Sequence, residues 1–412
     1  MEATPAPSQR DRWLTPGVRS IGLASLLSDA GHEIPTSLLP SFLTATLGAP
    51  ASALGLIEGI ADGAAGIAKL VGGALADDPH RRRNVAVGGY VTTAFLSSAI
   101  GVATAAWQVG VLRTGAWIAR GVRGPSRNAI LADVVDPSAY GRAYGFERAA
   151  DNLGAIVGPL LALGLMAWVG VRTAIVLSIV PGLLAAVAMF VAARHVRIAS
   201  TSQRRPIRLQ VRPVLRGGLR RLFLGMGAFE FGNCAATLLI LRATELLTPG
   251  RGQDRAAQVA VLLYVVYNAA GTLASYPAGH LGDRRGTRVA LLGGAGGFLV
   301  AYLVFAGTGT SVPILAVAFA LAGIGIGFAE TGEVAAVASR ATEDIRGSAF
   351  GLLAGLQSAG NLAASTIAGI LWTVVSPTVA FLWLAAWMVA AIVAFAMLPS
   401  GSPAATGATP PG

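Results

Sequence analysis

Charge is scarce in this chain: 12% of its 412 residues are charged, while 54% are hydrophobic. A soluble domain carries roughly twice that charge, so water is not the solvent for most of the surface. Cysteine is almost missing. The single Cys234 lies in an apolar stretch, cannot close an internal disulfide, and reads as a packing residue compatible with a reducing cytosol. There is no Gly-Lys-Ser/Thr phosphate loop, which argues against ATP as the direct driver. His32-Glu33 begins like a zinc-protease helix, but Pro35 and Thr36 follow where the second histidine is required. The chain is therefore expected to be no enzyme and to need no cofactor. The short alternating pattern of barrel strands is also lacking, which leaves helices as the way to satisfy the backbone in lipid.

What is present is a series of apolar runs, each near the roughly 20 residues a helix needs to cross a bilayer. They fall at 17–45, 53–76, 84–106, 108–131, 142–167, 173–194, 219–246, 256–281, 287–309, 311–337, 346–374 and 379–398. The expected fold is an all-α membrane protein of twelve transmembrane helices in two pseudo-symmetric six-helix bundles. The expected domains are an N-terminal half over 1–194, a basic linker over 195–218, a C-terminal half over 219–398 and a disordered tail over 399–412. Residues before Pro16 are polar, and the apolar run after them is longer than a signal-peptide core, so no cleaved leader is expected.

Counting loops alternately from a cytoplasmic N-terminus puts most arginines on one side: the linker, Arg81 to Arg83, Arg142, Arg284, Arg285, Arg288 and Arg346. Basic residues in short loops are retained in the cytoplasm, so both termini are expected there, in an inner (plasma) membrane protein. The net charge of +11 then follows from topology, and nucleic acid is not an expected partner. The expected partners are the lipid bilayer and a small-molecule or ion substrate, with the chain acting as a monomer.

An internal repeat supports two halves. Gly73, Asp77 and Arg82 recur 206 residues later as Gly279, Asp283 and Arg288. The same offset carries Gly141, Gly145 and Gly154 to Gly347, Gly351 and Gly360, and Ala129 and Ala132 to Ala335 and Ala338. Parallel six-span repeats related by an axis along the membrane normal place a cavity between halves.

At these loops the chain resembles the major facilitator superfamily, whose loop between the second and third spans carries Gly-x-x-x-Asp-x-x-Gly-Arg-Arg/Lys. Gly279-His-Leu-Gly-Asp283-Arg-Arg-Gly286-Thr-Arg288 fits, whereas the first copy has His80 in place of the second glycine. Gly154-x-x-x-Gly158-Pro159 is similar to the fifth-span motif of proton-coupled antiporters, with Ala162 replacing a further glycine. The segments around Glu58 and Asp62, and around Glu147 and Asp151, look like a prokaryotic branch of poorly assigned substrate. The resemblance implies the twelve-span fold and secondary transport, with export slightly favoured.

Ionisable groups within spans are costly unless they face a wet cavity or a partner. Asp29 and Glu33 are four apart, as are Glu58 and Asp62, and His32 lies on the side of Asp29. Such a set suits a proton, a divalent cation or a cationic solute. Each acid has a competing reading as a permanent ion pair, and His32 as a simple hydrogen-bond donor. Arg120, Arg123 and Arg127 form one stripe beside Glu147, Arg148 and Asp151. They either neutralise neighbouring acids or attract an anion. Glu230, Glu330 and Glu333 add acids in the second half, and Arg127 corresponds through the repeat to Glu333. Tyr264, Tyr267, Asn268, Gln357 and Asn361 offer neutral hydrogen bonds to a solute or simply between helices. Asp77 and Asp283 with their arginines read as a conformational latch. The leading expectation is a proton-coupled alternating-access transporter for a cationic or drug-like solute or a metal ion. The alternatives are an anion carrier using the fourth-span arginines, and a membrane sensor that does not transport.

Overall fold

A computed structural model describes residues 13–196, 207–309 and 311–398. The middle of the expected linker, with Arg197, Arg204 and Arg205, and the expected disordered tail over 399–412 lie outside the described residues.

Among the described residues the regular structure is helical throughout. In chain order the helices are α1 (Pro16–Ser41), α2 (Ala51–Ala76), α3 (Pro79–Ala99), α4 (Ala106–Asp133), α5 (Tyr140–Leu177), α6 (Ile179–Arg194) and α7 (Val211–Val214). Then come α8 (Gly217–Gly232), α9 (Ala236–Arg251), α10 (Gln253–Arg285), α11 (Thr287–Ala306), α12 (Val312–Arg340), α13 (Arg346–Val374) and α14 (Pro377–Ala396). Counting α8 and α9 as one interrupted span and leaving out the single turn α7, these supply the expected twelve crossings. Eight segments are long and apolar enough to cross a membrane, one of them covering both α5 and α6. The spans outside that set are α1, α4 and α13. The first two are the spans that carry Asp29, Glu33 and the arginine stripe.

Local chemistry sets the ends. Thr15 caps α1 with Oγ1 accepting from the Val18 N–H at 3.3 Å, and Pro16 fills the first turn, where no N–H is needed. Asp78 with Pro79 starts α3 in the same way, and Ser376 with Pro377 starts α14. Pro35 and Pro40 interrupt the ladder of α1, which relaxes into a π-helical turn over Phe42–Thr46. The chain reverses between α9 and α10 at Gly252 (φ 77°) and between α10 and α11 at Gly286 (φ 88°), conformations a side chain disfavours.

The chain forms two compact units. Unit 1 comprises Met1–Ala139, Ala150–Val214 and Ala341–Gly355, and unit 2 comprises Tyr140–Ala149, Leu215–Arg340 and Leu356–Gly412. Each unit thus includes the first turns of a helix whose remainder belongs to the other. Within unit 1, α2 packs on α4, α1 on α6, and α3 on both α4 and α6. Within unit 2 the repeat-equivalent helices pair identically: α10 on α12, α8 on α14, and α11 on both α12 and α14.

Small residues permit the closest approaches. A Cβ on Gly73 would meet the Gly351 Cα at 2.7 Å, so α2 and the start of α13 touch backbone to backbone in unit 1. Gly279 lies equally close to the Gly141 backbone in unit 2. Gly154 and Gly158 of the fifth-span motif sit against Leu26, Ala30 and Glu33 of α1, which gives that motif a direct packing role.

Candidate functional site

In unit 1 the stripe on α4 begins two members earlier than the sequence reading placed it. Arg113, Trp117, Arg120, Arg123 and Arg127 follow at spacings of three and four, which keeps them on one face. Arg113 pairs with Glu58 at 3.0 Å, donates to Thr36 Oγ1 at 3.0 Å, and lies 3.4 Å over the Trp117 ring. The Trp117 indole N–H donates to Asp62 Oδ1 at 2.7 Å, and His32 packs on that ring at 4.2 Å between centroids. Arg120 pairs with Asp29 at 2.8 Å. Arg127 reaches Asp151 at 3.4 Å and donates to Ser25 Oγ at 3.0 Å. Arg123 donates to Ser28 Oγ at 2.5 Å and stacks 3.7 Å over Tyr90.

The four acids singled out in the sequence therefore share the surface of α1, α2 and α4 but fall into two kinds. Asp29 and Glu58 face arginines. Glu33 and Asp62 have no arginine within ion-pair distance among the described residues. Beside Glu33 the nearest basic nitrogen is His32 Nε2 at 3.9 Å, and the Glu33 side chain is 25% exposed.

In unit 2, Glu333 is fully buried and accepts from the Gln357 amide at 2.9 Å. Positions 333 and 357 are the repeat equivalents of 127 and 151, so the contact survives while its chemistry changes from Arg–Asp to Glu–Gln. Arg148 pairs with Glu330 at 3.3 Å, and Glu147 beside it is buried. Glu230 accepts from the Asn233 amide at 3.1 Å. Asn361 donates to the Asn233 carbonyl at 3.0 Å. Asn268 bonds back to the Tyr264 carbonyl in its own helix, and Tyr264 stacks on Tyr267 at 5.6 Å. Among the described residues no three His, Cys, Asp or Glu side chains converge as metal ligands.

The interruption between α8 and α9 went unread in the sequence. Asn233, Cys234 and Ala235 leave the helix, and their polar groups are taken up by neighbours. The Tyr302 hydroxyl donates to the Gly232 carbonyl at 2.8 Å and accepts from the Cys234 N–H at 3.4 Å. Ser365 Oγ accepts from the Ala235 N–H at 2.8 Å. Asn233-Cys234, with low helix propensity, was the only available signal.

The ends of α2 and α10 repeat one contact. In unit 1, Asp77 accepts from the Ser348 backbone N–H at 2.8 Å and from its hydroxyl, at the first turn of α13. Gln210 donates to the same carboxylate at 3.3 Å. In unit 2, Asp283 accepts from the Gly141 and Arg142 N–H groups at 2.6 and 2.9 Å, and from the Arg142 guanidinium at 2.9 Å. Ser348 and Arg142 are themselves repeat equivalents. Burial raises the Asp77 pKa above the usual aspartate value, against the opposing pull of the Ser348 and Gln210 donors and the charge of Arg82.

The arginines expected to serve these aspartates go elsewhere. Arg82 donates to the Ala76 carbonyl at 2.6 Å, to Asp133 at 2.7 Å and to the Glu343 carbonyl at 3.1 Å, and Asp133 also meets Arg346 at 3.1 Å. Arg288 donates instead to the Leu398 carbonyl at 3.1 Å, because the repeat equivalent of Asp133 is Ser339, which offers no charge. The His80 departure has a local cause as well. In the first copy Asp78 caps α3, accepting from the His80 N–H at 3.0 Å, so the turn needs no positive-φ glycine there. Asp133, Ser348 and Arg346 were unread in the sequence because each depends on a partner distant in the chain.

Comparison with known proteins bears on this arrangement. The chain is 27% identical over 380 residues to an uncharacterised MFS-type transporter of Methanocaldococcus jannaschii, covering 91% of this chain and 93% of that protein. Its fold is similar to that of a bacterial homologue of the iron transporter ferroportin in an outward-facing state (TM-score 0.71, 15% identity, 92% of this chain and 98% of that one). It is also similar to a proton:xylose symporter (TM-score 0.69, 14% identity, 95% and 97%). The family description of the Major Facilitator Superfamily matches residues 21–248 and 252–411. The chain is a multi-pass membrane protein and belongs to the Major Facilitator Superfamily, a family of transporters.

Proposed function

We propose that this protein is a secondary active transporter working by alternating access, coupled to protons, that moves a cationic or drug-like solute, with efflux favoured over uptake. Glu33 carries this reading. It is a partly exposed carboxylate within a span, with no arginine to hold it ionised, beside the imidazole of His32. A group so placed exchanges a proton or a cation, whereas Asp29 and Glu58 are held by Arg120 and Arg113. Asp62, held only by the neutral Trp117 N–H, is the second exchangeable acid. Glu333, facing an amide rather than a cation, is the candidate in unit 2. Metal cargo is the weaker version, since the described residues assemble no three-ligand set.

The anion-carrier alternative loses support because two of its three arginines, Arg120 and Arg127, are committed to carboxylates, and the third, Arg123, is buried against Ser28 and Tyr90. Asp77 and Asp283 act as the latch, each holding the first turn of a helix whose other end belongs to the other unit. The protein has no catalytic role in this reading, and both termini face the cytoplasm of a plasma-membrane protein. The test is flux in proteoliposomes under an imposed pH gradient. Glu33→Gln is expected to abolish gradient-driven flux while leaving substrate exchange in place. Undiminished gradient-driven flux after neutralising Asp29, Glu33, Glu58 and Asp62 together rejects the assignment.

A further inference from the structure

Inside unit 1, away from the Glu33 surface, a small cavity lies among α1, α3, α4 and α6, lined in part by Ser28, His32, Tyr90, Ser97, Arg123 and Ser178. No carboxylate lines it. Four of its polar atoms, His32 Nδ1, Tyr90 Oη, Ser97 Oγ and Ser178 Oγ, are buried without a protein hydrogen-bond partner. Arg123 is 4% exposed. Among the described residues no carboxylate oxygen lies within 4 Å of it; its direct contacts are the Ser28 hydroxyl and the Tyr90 ring, and Asp29, already paired with Arg120, acts on it only from farther away. Its stripe neighbours each have an acid: Arg120 has Asp29, and Arg127 has Asp151.

The fold does not require this polarity. At the repeat offset, Arg123 corresponds to Ala329 and Ser178 to Leu384, both buried in unit 2, where the equivalent helices pack in the same way. A buried guanidinium without a counter-charge is expensive in a low-dielectric interior. Water would satisfy the hydroxyls but would leave that charge uncompensated. The hydroxyls, the imidazole and the guanidinium can all donate, which is the chemistry that surrounds an anion. The space is on the scale of one water-sized sphere, so a phosphate does not fit and a halide is seated only if the lining gives by a few tenths of an ångström.

We infer that this cavity binds one monatomic anion of the chloride class, held at its Arg123 end by the guanidinium and the hydroxyls of Ser28 and Tyr90. The anion completes the charge balance of the first bundle and is not cargo, so the site stands whatever the transported solute proves to be.

The test uses the purified full-length protein in nanodiscs of zwitterionic lipid, with gluconate exchanged for chloride or bromide at constant ionic strength. Halide is expected to raise the unfolding midpoint in proportion to the logarithm of its concentration once above the dissociation constant, the folded-to-unfolded ratio gaining about elevenfold at ten times that constant. Arg123→Gln is expected to remove the halide dependence. Should that variant fail to fold, Tyr90→Phe keeps the charge and the ring, and is expected to weaken halide binding about tenfold. Bromide is expected to give an anomalous diffraction peak beside Arg123. A midpoint indifferent to halide, the same halide response in the Tyr90→Phe variant, or only a water molecule at that position overturns the inference.

Discussion

Asp133→Asn preserves shape and removes one charge from the centre of a three-residue cluster, where Asp133 meets Arg82 at 2.7 Å and Arg346 at 3.1 Å. Arg82 is 2% exposed and is pinned by the Ala76 and Glu343 carbonyls, so its guanidinium has no route to water. Removing one partner of a buried ion pair costs about 3–5 kcal/mol. The Asn oxygen still accepts one bond, and Arg346 is more exposed, which places the expected loss near the lower end, about 3 kcal/mol. At about 1.4 kcal/mol per decade, the folded-to-unfolded ratio falls by a factor of about a hundred. Denaturant titration in mild detergent reads this directly. A cycle with Arg82→Gln tests the cause: the double variant is expected to lose less than the sum of the singles, by about 0.5–3 kcal/mol. Strictly additive losses, or an Asp133→Asn protein within about 0.5 kcal/mol of the original, refute the argument that this carboxylate ties α13 to α3 and α4.

Gly351→Ala would bring a Cβ to 2.6 Å from the Gly73 Cα. Overpacking of about 1–3 kcal/mol is expected to outweigh the helix-propensity gain of about 1 kcal/mol. Gly59→Ala, with open space around it, is expected to be neutral or stabilising in the same melting assay. Tyr302→Phe strips the hydroxyl from the Gly232 carbonyl and the Cys234 N–H. A loss of about 1–3 kcal/mol is expected, with faster labelling of Cys234 by maleimide as the specific readout. At Asp77 the burial-raised pKa means that the docked carboxyl binds a proton more readily than the undocked one. Docking of the first turn of α13 is therefore expected to be fully favoured below the ordinary aspartate pKa and to weaken as pH rises through the raised value. Spin-label distances between α2 and α13 check the sign, and an unchanged or opposite trend rejects it.

Much of the architecture was legible in the sequence because hydrophobic length and the 206-residue offset are local or self-referential properties. The twelve apolar runs became helices with ends shifted by a few residues, as capping by Thr15, Asp78 and Ser376 decided the starts. Gly73, Gly279, Gly347 and Gly351 were marked by the same offset, which did not say which backbones they would touch. The site was less legible. Spacing put Asp29 with Glu33 and Glu58 with Asp62, yet which acid meets an arginine depends on the rotation of α4, and Arg113 was passed over for lack of that angle. The motif arginines were assigned to Asp77 and Asp283 by proximity in sequence, whereas the true partner of Arg82 lies at the end of α4. The Asn233–Ala235 interruption left almost no trace, since its cost is offset by side chains from α11 and α13 that composition cannot locate.

That interruption has a mechanical consequence. A continuous helix bends only by breaking its own ladder, but the seventh span already has a knuckle whose polar groups rest on Tyr302, Asn361 and Ser365. Such side-chain bonds are worth about 1 kcal/mol each and can be traded singly. The segment α9 therefore has a built-in hinge against α8, and for it to swing as a stiff lever Arg242 must also release the Phe305 and Gly307 carbonyls.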